Sequence, residues 1–493
     1  MELSSVKIAG RMEVLFATSI AIRHPRGDSM NLDRTFEYIR KNERRFVDEL
    51  VEFLRIPSIS AHSDRNADVA AALEFDKRKL ESLGFRTEVW PTRAHAGLFA
   101  ERIESPDLPT LLIYGHVDVQ PVDPIDLWES PPFEPRIHDG KIWARGADDN
   151  KGQHYAHIVG IESAIQGGGG LPVNVKFIIE SDEEFDGEAM AVELPKHPGK
   201  LDCDAIVVSD SSFPDLDHPA VTLCLRGIAA AEITITGAAS DKHSGEWGGM
   251  LYEPNDVLRW VLQNLKDFET GRVLVPGFYD EVEAVTPQRR TAIATRPWSD
   301  ADQARTIGVR RLFQEEGYTS LESGTLRPTL QVNGIQGGYT GEGFKTVIGN
   351  RARAKISMRL VPNQDPEKIY GRFEKYVREL VGDKGTVEFK RFGFGNAFWA
   401  DPENPFVQAG LKALEAAFGK PAITFAMGGS IPIIPPLVEA TGAPCVMMGF
   451  GLPGDNLHAP NENFPIACFL GGARASAAYL AEAAARAGHE TRR

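Results

Sequence analysis

Thr110-Leu-Leu-Ile-Tyr114-Gly115-His116-Val-Asp118 is an apolar run that turns polar at its carboxyl end. Its first five residues carry no charge and are mostly branched or aromatic, which reads as a buried strand. The same grammar recurs twice. Val173-Asn-Val-Lys-Phe-Ile-Ile179 hands over to Glu180-Ser-Asp-Glu183-Glu184, and Ala205-Ile-Val-Val208 hands over to Ser209-Asp210. Helical segments fit around these runs, over residues 149–164 and 188–194. Buried strands alternating with helices predict an α/β sheet. Open sheets of this kind carry their sites outside the strand carboxyl ends. His116, Glu183, Glu184 and Asp210 all fall there.

Working outward, residues 31–54 carry Phe36, Ile39, Phe46, Leu50, Phe53 and Leu54 at helical spacing. The helix they predict stops at Ile56-Pro57. A second helix fits residues 68–83, ended by Gly84, and a strand fits 87–90. From about Val221 the texture changes. Residues 229–236 alternate like a half-exposed strand, 255–265 read as a helix behind Pro254, and 280–327 are polar and irregular. Strand signals at 346–348 and 353–361 and a helix over 366–381 follow. Alternating strands with two helices predict an α+β unit covered on one face. Residues 404–418 (helix), 445–449 (strand) and 465–485 (helix) then resume the first pattern. The predicted architecture is an α/β catalytic domain with a mixed central sheet flanked by helices, interrupted by an inserted α+β domain. Its bounds are 1–221, 222–396 and 397–493.

A chain of 493 residues exceeds the usual size of one core. Its 42% hydrophobic and 25% charged residues are those of an ordinary globular protein. The formal charge of -15 offers no basic footprint for nucleic acid, while leaving room for a local basic pocket. Cys203, Cys224, Cys445 and Cys468 are too few and too scattered for a disulfide framework or a sulfur-ligated metal. Buried free thiols and a cytoplasmic location are expected. No apolar run approaches the roughly 20 residues needed to span a membrane. Residues 12–22 look like a poor signal peptide without a cleavage site, and residues 1–29 read as a leader or an over-extended start.

The acids and histidines predict a two-metal centre. Zinc, cobalt and manganese all accept nitrogen from His and oxygen from Asp or Glu. Two ions about 3.5–4 Å apart need a shared ligand, and a carboxylate has two oxygens to give. Asp149, in Arg145-Gly-Ala-Asp-Asp149-Asn-Lys151-Gly152, is the bridge candidate. His116 and Asp210 would complete one ion's set, Glu184 and His458 the other's. Glu183 would move the proton of the attacking water. Asp118 can turn to the other nitrogen of the His116 ring and fix its tautomer. Two further signals each leave two readings open. Gly428-Gly-Ser430 is a carboxylate cradle or a plain tight turn. Arg359 is a substrate fork or a structural ion pair. His243 alone is simply an exposed residue.

Together these motifs resemble the M20 family of metallopeptidases, and within it the dipeptidase branch that includes carnosinase-like enzymes. The resemblance runs from about residue 35 to 485. It rests on Tyr114-Gly-His116-Val-Asp118-Val-Gln-Pro121, Trp128-Glu-Ser-Pro-Pro-Phe133-Glu-Pro135, the 145–152 block, Glu183-Glu184, Ser209-Asp210, His243-Ser-Gly245, Arg359-Leu-Val-Pro-Asn363, Gly428-Gly-Ser430-Ile-Pro and His458. It implies the same ligand scheme, Glu183 as base, and two zinc ions, with manganese or cobalt as alternatives. It also implies that the inserted domain is a lid carrying a homodimer interface, and that His243 reaches the partner's site to meet the scissile carbonyl oxygen. Arg359, Gly429, Ser430 and Asn333 would bind the substrate, and the Asp149–Asn150 peptide would be cis. The chain departs from the family at Phe425-Ala-Met427, where relatives often carry a charged Arg-Glu pair, and at residues 453–456, which are short and polar. The expected reaction is amide hydrolysis of a small peptide with a free carboxylate. An N-acyl-amino-acid deacylase or desuccinylase would use the same site. A non-catalytic binding module would lack a ligand or Glu183, and neither is missing.

Overall fold

The computed structural model describes residues 30–185 and 187–490. The leader reading of residues 1–29 lies outside them. A nine-stranded mixed sheet organises the larger part of the chain. Its order is Arg86–Trp90, Gly97–Arg102, Asn174–Glu180, Thr110–His116, Ala205–Val208, Cys445–Met447, Ala220–Leu225 and Phe398–Trp399, with Ile423–Ala426 also paired to Ala220–Leu225. The three predicted apolar strands are neighbours and parallel. Every residue of Asn174–Glu180 and of Ala205–Val208 is buried, as a sheet covered on both faces requires.

Their register sets the site. His116 lies opposite Glu180, and Tyr114 lies opposite Val208. The carboxyl ends of three adjacent strands therefore deliver His116, the 183–184 turn and Asp210 to one edge. Helix Lys151–Gln166 is buried from Lys151 to Ala164, consistent with its weak one-sided polarity. It is sandwiched between the sheet and the C-terminal helix Ile466–Glu490. Gly115 allows this: a Cβ there would come 2.4 Å from the Cβ of His154.

The chain leaves this sheet after Ala220–Leu225 and returns at Phe398–Trp399. Between them lies a four-stranded antiparallel sheet, ordered Thr329–Gly337, Arg351–Leu360, Gly227–Thr236, Thr386–Gly395. Gly227–Thr236 alternates strictly between buried and half-buried residues, the mark of a sheet covered on one face. Helices Pro254–Leu265 and Pro366–Val381 cover it, and the residues between form a hydrophobic core of their own. The two crossings touch: a Cβ on Gly227 would meet the Gly395 carbonyl oxygen at 2.6 Å.

Several expectations shift. The single helix over 31–54 is two, Leu32–Lys41 and Glu43–Leu54, because the Asn42 side chain donates to the Tyr38 carbonyl and closes the first. Strands Gly97–Arg102, Ala220–Leu225 and Thr386–Gly395 carried no predicted element. The polar 280–327 segment holds short helices Pro287–Ala294, Asp300–Thr306 and Ser320–Thr325, two of them closed by capping boxes. Among the described residues no helix is long and apolar enough to cross a membrane. All four cysteines are free; Cys224, Cys445 and Cys468 are buried and Cys203 is half-buried.

Candidate metal centre

The five predicted ligands converge in two overlapping groups, His116–Asp149–Asp210 and Asp149–Glu184–His458, each with donor atoms within 4.8 Å of one another. Asp149 belongs to both. Its Oδ1 lies 3.3 Å from His116 Nε2, and its Oδ2 lies 2.9 Å from His458 Nε2. His116 Nε2 is 3.8 Å from Asp210 Oδ1, and His458 Nε2 is 3.2 Å from Glu184 Oε1. One carboxylate thus offers an oxygen to each half, which is the arrangement a bridging ligand needs.

The donor set fits two divalent ions. His116 Nε2 and Glu184 Oε1 are buried without a hydrogen bond, a costly condition that a metal relieves. The other nitrogen of His116, Nδ1, lies 3.1 Å from the Asp118 carbonyl oxygen and 3.4 Å from Asp118 Oδ1. A proton held on that side leaves the Nε2 lone pair facing Asp149 and Asp210. Glu184 has its second oxygen engaged by Gln120 Nε2 at 2.8 Å, which leaves Oε1 for the centre. Asn150 Nδ2 donates to Asp210 Oδ1 at 3.0 Å and to the Ser209 carbonyl at 2.6 Å. The Asp149–Asn150 peptide is cis. His458 sits at φ 57, the left-handed region that non-glycine residues seldom occupy.

Charge is concentrated here. Burial pushes the Glu184 carboxyl up to about 7. Burial, reinforced by Asp210, Glu184 and Asp149 against the pull of His116, holds Glu183 well above the usual carboxylate range. The nearby carboxylates of Asp149 and Glu184 push His458 up to about 11. Burial opposes the charging of His116, but Asp118, Asp149 and Asp210 outweigh it and hold its ring well above the usual value. Carboxylates and imidazoles that hold one another's protons this way are the groups that two dications would replace protons on.

Behind the ligands lies a supporting layer of which the sequence reading named only Asp118. Glu462 is fully buried and accepts from Arg145 Nη1 at 2.7 Å and from the backbone N–H groups of Gly146, Asp148 and Asp149. Asp118 accepts from Ser60 Oγ at 2.6 Å and from the backbone N–H of Glu184 at 3.0 Å. Gln120, Asn150 and Glu462 each lie within four residues of a ligand or its partner, and that proximity is the only signal the sequence carried.

The carboxylate-binding candidates come together in part. Arg359 Nη1 donates to Ser430 Oγ at 2.7 Å, and Gly429 forms the exposed turn before it. His243 and Asn333 do not join them within one chain. His243 is exposed on the short strand Lys242–His243, its Nδ1 accepting from the Gly245 N–H. Asn333 is exposed on Thr329–Gly337, where the register shifts between Val332 and Gly334.

The description "Peptidase family M20/M25/M40" matches residues 112–482, three quarters of the chain and every proposed ligand. The protein belongs to this family. The M20 chain is therefore a hydrolase, and its two donor groups are a dinuclear metal-binding site. It is 28% identical over 473 residues to the Cys-Gly metallodipeptidase dug1 of Schizosaccharomyces pombe, covering 92% of this chain and 99% of the relative. The crystal structure of human carnosine dipeptidase 1 superposes with a TM-score of 0.78 at 28% identity, over 92% of this chain and 99% of that one. The M20 metallo-carboxypeptidase Sso-CP2 of Sulfolobus solfataricus gives 0.79 at 30% identity, over 88% and 98%. These relatives share both sheets, so the insertion of one into the other belongs to the M20 architecture.

Proposed function

We propose that this M20 enzyme hydrolyses the amide bond of dipeptides, or of other small peptides, that carry a free C-terminal carboxylate. The observation that carries the reading is Asp149 reaching both donor groups, beside an Arg359–Ser430 pair whose guanidinium has no carboxylate partner among the described residues. The names of its relatives, a Cys-Gly dipeptidase and a carnosine dipeptidase, support the substrate class.

His116, Asp149 and Asp210 would hold one ion, and Asp149, Glu184 and His458 the other. Zinc suits this nitrogen and oxygen set, and manganese and cobalt suit it too. Bound there, the ions supply a water acidified to react near neutral pH and a positive pole for the scissile carbonyl oxygen. Glu183 would take a proton from the attacking water and deliver it to the departing amine. Asp118 holds the His116 ring. Arg359 and the Gly429-Ser430 turn take the substrate's carboxylate and so measure its length.

The same proposal assigns the domain bounds 1–221, 222–396 and 397–493, the middle segment serving as lid. It makes the protein a homodimer through that lid. Ile335, 68% exposed on the edge strand Thr329–Gly337, and Phe268, 85% exposed beside it, support an apolar contact there. In such a dimer His243 of the partner subunit would donate to the scissile carbonyl oxygen, with Asn333 beside the substrate. Free thiols support a cytoplasmic location.

The test is hydrolysis of a small amide library by metal-depleted protein, with zinc, manganese and cobalt restored in turn. Dipeptides should be cut only after metal is restored, and their C-terminal amides should be poor substrates. Faster cleavage of N-acyl amino acids than of any dipeptide would move the enzyme to the deacylase reading.

A further inference from the structure

Arg226 stands where the chain crosses from Ala220–Leu225 to Gly227–Thr236. Its backbone N–H donates to the Gly429 carbonyl at 2.9 Å, and its Nε donates to the Gly428 carbonyl at 3.1 Å. Nη1 donates to Thr329 Oγ1 at 3.2 Å, and Ser430 Oγ donates to the Arg226 carbonyl. The residue therefore clasps the turn that presents Ser430. Arg359, which donates to the same Ser430, is the neighbouring guanidinium. Thr329 lies opposite Arg359 in the register of the lid sheet.

Two half-buried arginines side by side repel each other, and ordinarily a carboxylate is placed between them. Here, among the described residues, no Asp or Glu forms an ion pair with either, in a chain with 69 acids and 54 bases. The groups acting on Arg226 bear this out: burial first, then the charge of Arg359, lower its pKa to about 10. The stretch leading into the turn is Phe425-Ala-Met427. It is apolar here, with Phe425 packed edge-on against Trp298 at 6.3 Å between ring centres. Nη2 of Arg226 has no acceptor among the described residues.

We infer that Arg226 and Arg359 form a two-guanidinium subsite that accepts two negative charges on the C-terminal residue of the substrate, its α-carboxylate and a side-chain carboxylate. The preferred dipeptides are then those ending in Asp or Glu. This rests on the reading of Arg359 and Ser430 as the carboxylate subsite and extends it to a second charge. Charge-assisted hydrogen bonds from guanidinium to carboxylate are the strong ones, so the second carboxylate is worth about tenfold or more in kcat/KM.

The test compares Ala-Glu, its neutral isostere Ala-Gln, and Ala-Gln amide on the metal-loaded enzyme. Wild-type protein should favour Ala-Glu over Ala-Gln by about tenfold or more. Arg226→Met should erase that preference while Ala-Gln remains favoured over its amide. Met427→Glu, which adds a carboxylate next to the Gly428 turn that Arg226 holds and replaces neither arginine, should weaken it too, so the inference stays testable even where Arg226→Met does not fold. Equal rates on Ala-Glu and Ala-Gln by wild-type enzyme would overturn the inference, as would a preference that survives both variants. Failure of the underlying reading looks different: wild-type enzyme would show no dependence on whether Ala-Gln ends in acid or amide, or Arg359→Met would keep that dependence in full.

Discussion

Removing the Glu462 carboxylate should loosen the centre without touching a ligand. Its two oxygens serve four donors. Oε2 takes Arg145 Nη1 at 2.7 Å and the Gly146 N–H at 2.8 Å; Oε1 takes the N–H groups of Asp148 and Asp149, both at 3.1 Å. Arg145 is 1% exposed and Glu462 not at all. Deleting one partner of such a buried pair costs about 3–5 kcal/mol, because the other charge stays behind. Each abandoned buried N–H adds about 1–3 kcal/mol. The four share one acceptor, so the terms overlap. About 5 kcal/mol is the working figure for Glu462→Ala, against a total stability of about 5–15 kcal/mol.

Glu462→Gln is the sharper probe. It keeps the volume but turns an NH2 group toward donors that need an acceptor. A loss of about 2–3 kcal/mol is expected in urea unfolding followed by tryptophan fluorescence. The 146–149 backbone carries the shared aspartate, so metal affinity, read by competition with a chelator, should fall about 10–100-fold. A Glu462→Gln protein that unfolds within about 0.5 kcal/mol of wild type and keeps its metal equally well would refute the reasoning.

Three other outcomes are expected. Glu183→Ala should keep both ions in a metal assay yet lose about two or more orders of magnitude in kcat; normal turnover would remove Glu183 from the proton path. His243→Ala subunits mixed with subunits dead at Glu183 should regain activity in the hybrid dimer, since one site then holds an intact Glu183 and the partner's intact His243; no regain at any mixing ratio would place the histidine's action within one chain. His157 is buried between Ser209 and Ser476, 2.7 and 3.0 Å from their hydroxyls, and burial lowers its pKa to about 3. The unfolded chain holds that proton below about 6.5 and the folded one does not, so stability from the neutral ring is full above 6.5 and drains as pH falls toward 3, by about 1.4 kcal/mol per unit. Urea midpoints of wild type and His157→Gln between pH 4 and 6.5 should differ in slope by about one proton, and parallel slopes would contradict the assignment.

The parallel centre of the large sheet was legible because its strands are buried on both faces. Apolar runs such as Leu111–Tyr114 leave no other reading, and each ends in a residue that cannot stay apolar. Helix Pro366–Val381 was legible to the residue, since Asp365 caps it, Pro366 opens it and Gly382 closes it. Gly97–Arg102 was not, because Glu101 and Arg102 break its pattern and face outward, where ion pairs to Arg86 and Glu104 hold them. Thr386–Gly395 hides for a similar reason: Lys390 and Arg391 read as surface, yet the strand is an edge and can afford them. The ligands were visible because metal chemistry restricts residue type. Arg226 was invisible, since a lone arginine between two strands has no pattern, and only the fold brings it to Arg359.

Asp118 shows why the centre depends on a strand end rather than on a loop. Its Oδ1 faces the His116 ring and the Glu183 N–H, while Oδ2 takes Ser60 and the Glu184 N–H. One side chain therefore orients the His116 ring and fixes the backbone that carries both Glu183 and Glu184. Glu462 does the same for the shared aspartate from the opposite side. Between them they tie His116, Asp149, Glu183 and Glu184 to one rigid sheet edge. The inserted four-stranded sheet and its helices contribute none of these groups, so the spacing of the two donor groups is set within the larger sheet.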